Sequence, residues 1–269
     1  MCLLPACMAS SDNFNSILVR YGAQANLLCF FGALHSNDPK HPQFSLLKNT
    51  WNFFEQGPGN KVVVIESTRN AQNNFEIFEN FEEAVKQCGE PGGMYVLSRT
   101  AGIEVIFGEI DADEQRKMLL TEFDAENVAY ACLMQSAAVW FRAKRKLSFT
   151  EALVNYVKKE TMFSSIYGFE PTMDWLYEKH KELFGNQPID DERFVLSICD
   201  PRKKDTLINK IVSKRTEIRN EHLLAIINDN MHVGRNIFVM YGRGHLDMLY
   251  DELIKSTFAH DPHIHKTTE

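Results

Sequence analysis

Five short runs of β-branched and aromatic residues alternate along the chain with longer segments whose apolar residues recur at helical spacing. The runs lie at 16–21 (SILVRY), 27–31 (LLCFF), 61–65 (KVVVI), 103–108 (IEVIFG) and 236–241 (NIFVMY). The last four are almost entirely apolar, which is typical of strands buried on both faces of a parallel sheet. Strands that alternate with helices form right-handed crossovers. The pattern therefore predicts an α/β fold in which helices flank a mostly parallel central sheet.

Helical spacing predicts the segments that connect these strands. The pattern predicts four helices, at 44–54, 79–88, 93–101 and about 203–229. Pro91-Gly92-Gly93 separates the second of them from the third, and a last helix follows Gly244.

The middle of the chain has a pattern of its own. From about 111 to 184 it is helical almost throughout, with no convincing strand. We therefore predict a single α/β domain at 13–258, with either a helical insertion at about 111–200 or an all-α cap over one edge of the sheet. A disordered tail at 1–12 and a flexible tail at 259–269 would flank this domain.

Length, composition and charge restrict the class of protein. The 269 residues are 44% hydrophobic and 24% charged, so the chain is long and apolar enough to bury a full core. The net charge of −7 argues against electrostatic binding to nucleic acid or to an anionic membrane. No run of 18 apolar residues occurs, so we predict no transmembrane segment.

The cysteines and the first residues bear on the cellular compartment. Six cysteines are present without a C-x-x-C pair: Cys2, Cys7, Cys29, Cys88, Cys132 and Cys199. This scatter argues against a zinc ribbon or a disulfide framework and fits a reducing compartment. Leu4-Pro5-Ala6-Cys7 resembles a lipobox, but it lacks a basic segment and a full apolar segment before it. We expect a cytoplasmic protein, with an exported lipoprotein as the alternative.

Four of the predicted strands are followed by a histidine or a glutamate. His35 comes three residues after Gly32, and His245 comes three residues after Gly242. Glu66 directly follows the strand at 61–65, and Glu109 follows the strand at 103–108. Because the carboxyl ends of parallel strands meet at one edge, where ligands bind, we expect these side chains to share a site. Two histidines and two carboxylates suit either a metal site or acid–base chemistry without a metal.

Each of these residues also has a simpler interpretation. A glycine after a strand usually makes a turn, and a carboxylate there commonly begins a solvated helix. The coincidence of four such residues favours the shared site. The segment 242–247 does not fit a dinucleotide-binding loop, because Asp247 occupies the place of the third glycine.

An arginine and one further glutamate are candidates for the same site. Arg219 lies on the apolar stripe of the helix at about 203–229, seven residues after Val212 and four before Leu223. A buried arginine there would need a carboxylate or an anionic ligand, while the alternative is that its stem carries the charge to the surface. Glu90 precedes Pro91, and the simpler interpretation is that it begins the following helix.

The chain resembles the superfamily that groups TraB/TIKI-type proteins, ChaN-like haem-binding proteins and erythromycin-esterase-like hydrolases. The resemblance rests on short motifs in both halves of the sheet: GALH at 32–35, VVIES at 63–67, GE at 89–90, IFGEID at 106–111, IRNEHLLAII at 218–227 and VMYGRGHL at 239–246. It implies that His35 and His245 are the histidines of the site. Glu66 with Glu90 or Glu109 would be its carboxylates, and Arg219 its arginine.

Three functions follow from this resemblance. The first is a hydrolase of peptide or ester bonds in which His35, Glu66 and His245 hold Mn²⁺, Co²⁺ or Zn²⁺, Glu90 or Glu109 carries the proton, and Arg219 holds an oxyanion or a carboxylate. In the second, a histidine oriented by a glutamate activates water for an ester or lactone without a metal.

The third function is binding of haem or iron without catalysis, with Tyr241 or the His-rich tail HDPHIH at 260–265 as the available ligands. A small molecule or a peptide would be the substrate of either hydrolase. A chain of this class and size could also form a homodimer.

Overall fold

The computed structural model describes residues 15–21, 26–142 and 147–258. The tails predicted at 1–12 and 259–269 lie outside these ranges, as do the lipobox-like residues and the histidines at 260–265. Among the described residues, no helix combines the length and the apolar character needed to cross a membrane.

A five-stranded sheet contains all five predicted strands. They are β1 (Asn15–Tyr21), β2 (Asn26–Ala33), β3 (Lys61–Ile65), β4 (Glu104–Phe107) and β5 (Asn236–Gly242). The strand order is β1-β2-β5-β3-β4, and only the pairing of β1 with β2 is antiparallel. The prediction of an α/β fold with a mostly parallel sheet flanked by helices is confirmed.

The helices follow the predicted pattern closely. They are α1 (Gln43–Gln56), α2 (Gln72–Glu76), α3 (Phe81–Thr100), α4 (Ala112–Leu119), α5 (Ala125–Arg142), α6 (Phe149–Glu160), α7 (Ser164–Tyr167), α8 (Met173–Phe184), α9 (Glu192–Ile198), α10 (Leu207–His232) and α11 (Arg243–Phe258). Two 3₁₀ turns precede α2 and α7. The predicted helices at 44–54 and about 203–229, and the one after Gly244, correspond to α1, α10 and α11.

The chain divides into two compact units. The sheet unit comprises residues up to Glu109 and from Asn220 onward, and the helical unit comprises Ile110–Arg219. The helical unit therefore contains the first half of α10 as well as the segment at about 111–200. Its core is built around α5, whose residues from Val128 to Met134 are almost completely buried.

The sheet unit is packed on both faces of the sheet. Along β2, Leu27, Cys29 and Phe31 face the apolar cluster that contains residues of α1 and α3. Leu28 and Phe30 face the opposite cluster, which contains residues of α10 and α11. Successive side chains of a strand point to opposite faces, so burial of both explains why the run is apolar throughout.

Two local predictions differ from the structure. The strand β4 is only half-buried, because it lies at the edge of the sheet rather than inside it. The break in α3 falls at Gly89, whose φ of 64° is left-handed, and not at Pro91-Gly92-Gly93, which continue as helix. Proline is tolerated there because it stands in the first turn of the second segment.

The two Gly-x-x-His elements also differ from each other. After β5 the helix α11 begins at once, at Arg243, so His245 lies in its first turn. After β2 a loop separates His35 from α1, which begins only at Gln43. A helix therefore follows directly only after the second of these elements.

Candidate active site

The strand order brings three of the predicted site residues to one edge of the sheet. The strand β5 lies between β2 and β3, and all three run in the same direction. Ala33 is opposite Gly242 in the register, and Ile65 is opposite Met240. His35, Glu66 and His245 follow these strand ends, so the chain direction of the sheet delivers them to the same place.

Gly242 is the point at which two of these side chains meet. A Cβ atom on Gly242 would lie 2.6 Å from Nε2 of His35 and 3.2 Å from Oε2 of Glu66. The backbone N–H of Gly242 donates a hydrogen bond of 2.5 Å to the same Oε2 atom. The absence of a side chain at this position therefore lets an imidazole and a carboxylate approach the strand end together.

His35 combines an exposed side chain with an unusual backbone. Its side chain is 67% exposed. Its φ of 49° makes it the one described residue other than glycine with a positive φ. Left-handed backbone is uncommon for such residues and is often found where function requires it. The imidazole is thus accessible to a substrate from solvent while its ring rests against Gly242.

Two buried side chains hold the backbone on either side of His35. The N–H of Leu34 donates to Oε1 of Gln43 at 2.9 Å, and the N–H of Ser36 donates to Oε1 of Glu90 at 2.6 Å. Gln43 also donates from Nε2 to Oε1 of Glu90 at 2.7 Å. Gln43 is fully buried and Glu90 is 2% exposed. We call Gln43 and Glu90 the loop clamp, because together they fix the backbone that presents His35.

The second oxygen of Glu90 faces the histidine itself. Oε2 of Glu90 lies 3.9 Å from Nδ1 of His35. The left-handed residue Gly89 brings the carboxylate there, because it ends the first segment of α3 against the loop that contains Ser36 and Asn37. Glu90 therefore does not serve only to begin a helix, which was the simpler interpretation of its position before Pro91.

His245 is the buried histidine of the pair. It is 7% exposed and its ring meets the ring of Tyr241 edge to face, with centroids 5.4 Å apart. Nδ1 of His245 lies 2.6 Å from Oδ1 of Asn220, and Nε2 lies 3.7 Å from Oε1 of Glu66. Glu66 therefore has Oε1 toward His245 and Oε2 at the N–H of Gly242, where the ring of His35 also lies.

The positions of Glu109 and Arg219 follow from the chain segments that contain them. The N–H of Glu109 donates to the carbonyl of Ser67 at 3.1 Å, which puts its backbone beside the chain that follows Glu66. Arg219 is half-buried and is the last residue of the helical unit. The roles assigned to Glu109 and Arg219 stay predictions. Tyr241 is fully buried, which does not favour it as a ligand for haem.

The described side chains fit a metal ion poorly. Within the ranges that the structure describes, no three His, Cys, Asp or Glu side chains form a group that could hold a metal ion. Protein metal centres of the predicted type need three such ligands. His35, Glu66 and His245 share the sheet edge, but in this arrangement they do not make such a group.

Sequence reasoning missed two residues of the site. Asn220 bonds to His245 across 25 positions of sequence, and Gln43 bonds to Glu90 across 47. Asn220 does carry a signal, since a polar residue eight positions after Val212 and three before Leu223 falls on the buried stripe of its helix. Gln43 carries none beyond its place at the start of α1.

Comparison of the chain with protein-family models, with curated proteins and with solved structures found no match.

Proposed function

We propose that the protein is a hydrolase of esters or lactones in which His35 acts as the general base on water. The observation that carries this proposal is the meeting of the exposed His35 imidazole and the Glu66 carboxylate at Gly242. A general base must reach its water from solvent, and a neighbouring carboxylate orients its ring and stabilises the imidazolium that forms. His35 meets the first condition. Two carboxylates would meet the second: Glu90, with Oε2 3.9 Å from Nδ1 of His35, and Glu66, which lies beside Gly242 with the His35 ring.

The reaction would proceed through proton transfer at one imidazole. His35 takes a proton from water while the water oxygen bonds to the acyl carbon of the ester. Collapse of the tetrahedral intermediate breaks the acyl C–O bond, and the leaving alkoxide takes the proton from the His35 imidazolium. The loop clamp keeps His35 in place through this cycle, and His245 holds the far oxygen of Glu66.

The metal-free version of the predicted hydrolase has the better support. The described residues contain no ligand group for Mn²⁺, Co²⁺ or Zn²⁺, so we derive no step through a metal. A protein that only binds haem has less support, since the Tyr241 ring is buried. Membership in the TraB/TIKI, ChaN-like and erythromycin-esterase-like superfamily remains the hypothesis that the paired histidine motifs suggest.

The test uses a panel of p-nitrophenyl esters and simple lactones with protein that has been treated with a chelator. We expect turnover by the chelator-treated protein and its loss in His35→Asn. Asparagine suits this position because it tolerates left-handed backbone, so the variant removes the base without straining the loop. The matched control is His232→Asn, at the exposed end of α10.

Two results would contradict the proposal. One is turnover that appears only after Mn²⁺, Co²⁺ or Zn²⁺ is added back to the chelator-treated protein, which would restore the metal-dependent hydrolase. The other is wild-type protein without turnover that binds added haem with a visible absorption band, which would favour the binding protein.

A further inference from the structure

Arg215 of α10 is held in place by two neutral amides from other helices. Its Nε–H donates to Oε1 of Gln115 in α4 at 2.6 Å, and its Nη1 donates to Oε1 of Gln135 in α5. Gln115 is 3% exposed, and Arg215 and Gln135 are half-buried. All three residues belong to the helical unit. Because a planar guanidinium bonded at two of its nitrogens cannot turn freely, these bonds fix the direction in which it points.

The charge of Arg215 has no carboxylate to balance it. Within the part of the chain that the structure describes, the two glutamines are its only hydrogen-bond partners, and it forms no ion pair. The buried Arg116 of the same unit shows the usual arrangement, because both oxygens of Glu160 accept from it. A charge taken partly out of water is costly unless an acid or an anionic ligand offsets it. For Arg215 the structure supplies no acid among these residues.

The donors of Arg215 that the glutamines do not use include those of one edge. A guanidinium has five N–H groups, of which Gln115 takes the one on Nε and Gln135 takes one on Nη1. Both N–H groups of Nη2 and the second of Nη1 remain. Such planar donors bind two oxygens of one carboxylate or phosphate group. Since the glutamines are neutral, they hold the guanidinium without reducing its positive charge.

Further arginines add positive charge near Arg215. Burial raises the pKa of the Cys199 thiol, and the charges of Arg142 and Arg215 both oppose that rise. The guanidinium groups of these two arginines therefore lie near the same sulfur atom. Arg219 follows Arg215 by one turn on the same face of α10. Like charges in this arrangement repel each other, and a bound anion would offset the repulsion.

We propose that Arg215 binds a small oxyanion, either a carboxylate or a phosphate group, through the donors of Nη1 and Nη2 that the glutamines leave open. Gln115 and Gln135 are positioning residues for this site. A carboxylate in place of either amide would hold the guanidinium equally well but would repel the ligand. The inference does not depend on the proposed function, because Arg215 and both glutamines lie outside the sheet unit.

NMR titration of the full chain with ¹⁵N-labelled arginine tests the binding. Inorganic phosphate and acetate replace sodium chloride in separate titrations at constant ionic strength, and the Nε–H signals are followed. The signal missing from the spectrum of Arg215→Lys is that of Arg215. We expect it to shift and saturate with at least one probe, and the probe that binds more tightly identifies the group that the site takes. If neither probe gives a saturating shift, the proposal is wrong.

Calorimetric titration of variants with the same probe separates the planar donors from general positive charge. Arg215→Lys keeps the charge without the planar donors, and we expect its dissociation constant to rise roughly 10-fold or more. The control is Arg202→Lys, an exposed arginine of the same unit that bonds to Asp200, and its affinity should equal that of wild type. Equal affinity of Arg215→Lys and wild type would overturn the proposal.

Gln115→Glu tests the positioning role, and it decides the matter even if Arg215→Lys does not fold. The glutamate keeps an acceptor for the Nε–H of Arg215, so thermal stability should be equal or higher. Its charge balances the guanidinium, so we expect the dissociation constant for the probe to rise roughly 10-fold or more. A purely structural role for Gln115 predicts no change in affinity, and that result would contradict the proposal.

Discussion

Nε2 of His35 lies 2.6 Å from the position that a Cβ atom on Gly242 would occupy. This relationship joins the two ends of the chain, since Gly242 ends β5 and His35 follows β2. The bond from the N–H of Gly242 to Glu66 adds the third strand to the same point. One residue without a side chain thus creates the space in which the base and its carboxylate come together.

A methyl group at Gly242 should displace His35 and reduce turnover. The backbone of Gly242 needs no positive φ, so Gly242→Ala is strained by its Cβ contacts, which are closest with His35 and less close with Oε2 of Glu66. Because the imidazole is largely exposed, it can swing outward at little cost to folding, but a shift of about 1 Å in a catalytic group costs on the order of 100-fold in rate. We expect kcat/KM for an ester to fall by about that factor.

Gly244 provides the matched control for this prediction. A Cβ on Gly244 would meet no atom within 4 Å, so Gly244→Ala should keep both turnover and thermal stability. Equal activity of Gly242→Ala and wild type would show that His35 is not used in the position where it lies in this structure.

The loop clamp should be needed both for stability and for the placement of His35. Gln43→Leu removes the acceptor of the Leu34 N–H and one donor to the buried Glu90 carboxylate. Leaving such groups unsatisfied costs about 1–3 kcal/mol. We expect the free energy of unfolding in urea to fall by that amount and amide exchange at Leu34 to accelerate. Asn52→Leu, at an exposed position of α1, should change neither. Unchanged exchange at Leu34 in Gln43→Leu would contradict the clamp.

The sequence predicted the strands well for a physical reason. Both faces of β2, β3 and β5 are buried, so nearly every residue in them is apolar and the runs stand out from the polar loops. The strand ends then indicated His35, Glu66 and His245, because chain direction alone places such residues at one edge. The packing of the helical unit could not be predicted in this way. Its helices all show the same helical periodicity of apolar residues, and that periodicity does not specify which helices pack together.

The partners of the site residues could not be predicted in the same way. Asn220 and Gln43 act through side-chain contacts between elements far apart in sequence, and spacing carries no information about such contacts. The left-handed backbone of His35 could not be predicted either, because position 35 is not a glycine, the residue that adopts such backbone most readily. The structure therefore adds the orientation of the candidate residues to the positions that the sequence suggested.

A buried ion pair in the helical unit should be essential to its stability. Arg116 and Glu160 are 6% and 5% exposed and form two-pronged hydrogen bonds of 2.8–2.9 Å, and Arg116 also donates to the Tyr167 hydroxyl at 2.7 Å. Removing one partner of such a pair leaves a buried charge, which costs about 3–5 kcal/mol. We expect Glu160→Ala to lower the free energy of unfolding in urea by about that amount.

Two further variants separate the buried charge from loss of packing. The double variant Arg116→Met/Glu160→Leu should recover most of the stability, because it removes both charges together. Glu82→Ala disrupts the pair of Glu82 with Lys48, in which both side chains are exposed, and should cost less than about 1 kcal/mol. If the double variant is as unstable as Glu160→Ala alone, the lost free energy of unfolding comes from packing and not from the buried charge.

The thiol of Cys199 should make the helical unit less stable in alkaline solution. Burial raises the pKa of Cys199 to about 12, from a usual value near 9.0. The folded state thus keeps a proton that the unfolded state loses above about pH 9, so this contribution to stability is full below that pH and declines as the pH rises toward 12. The decline reaches at most about 1.4 kcal/mol per pH unit.

Cys199→Ala lacks the thiol, and its stability deficit relative to wild type should therefore shrink between pH 8 and pH 10 in urea unfolding followed by circular dichroism. A deficit that stays constant over this range would mean that the thiol ionises alike in both states.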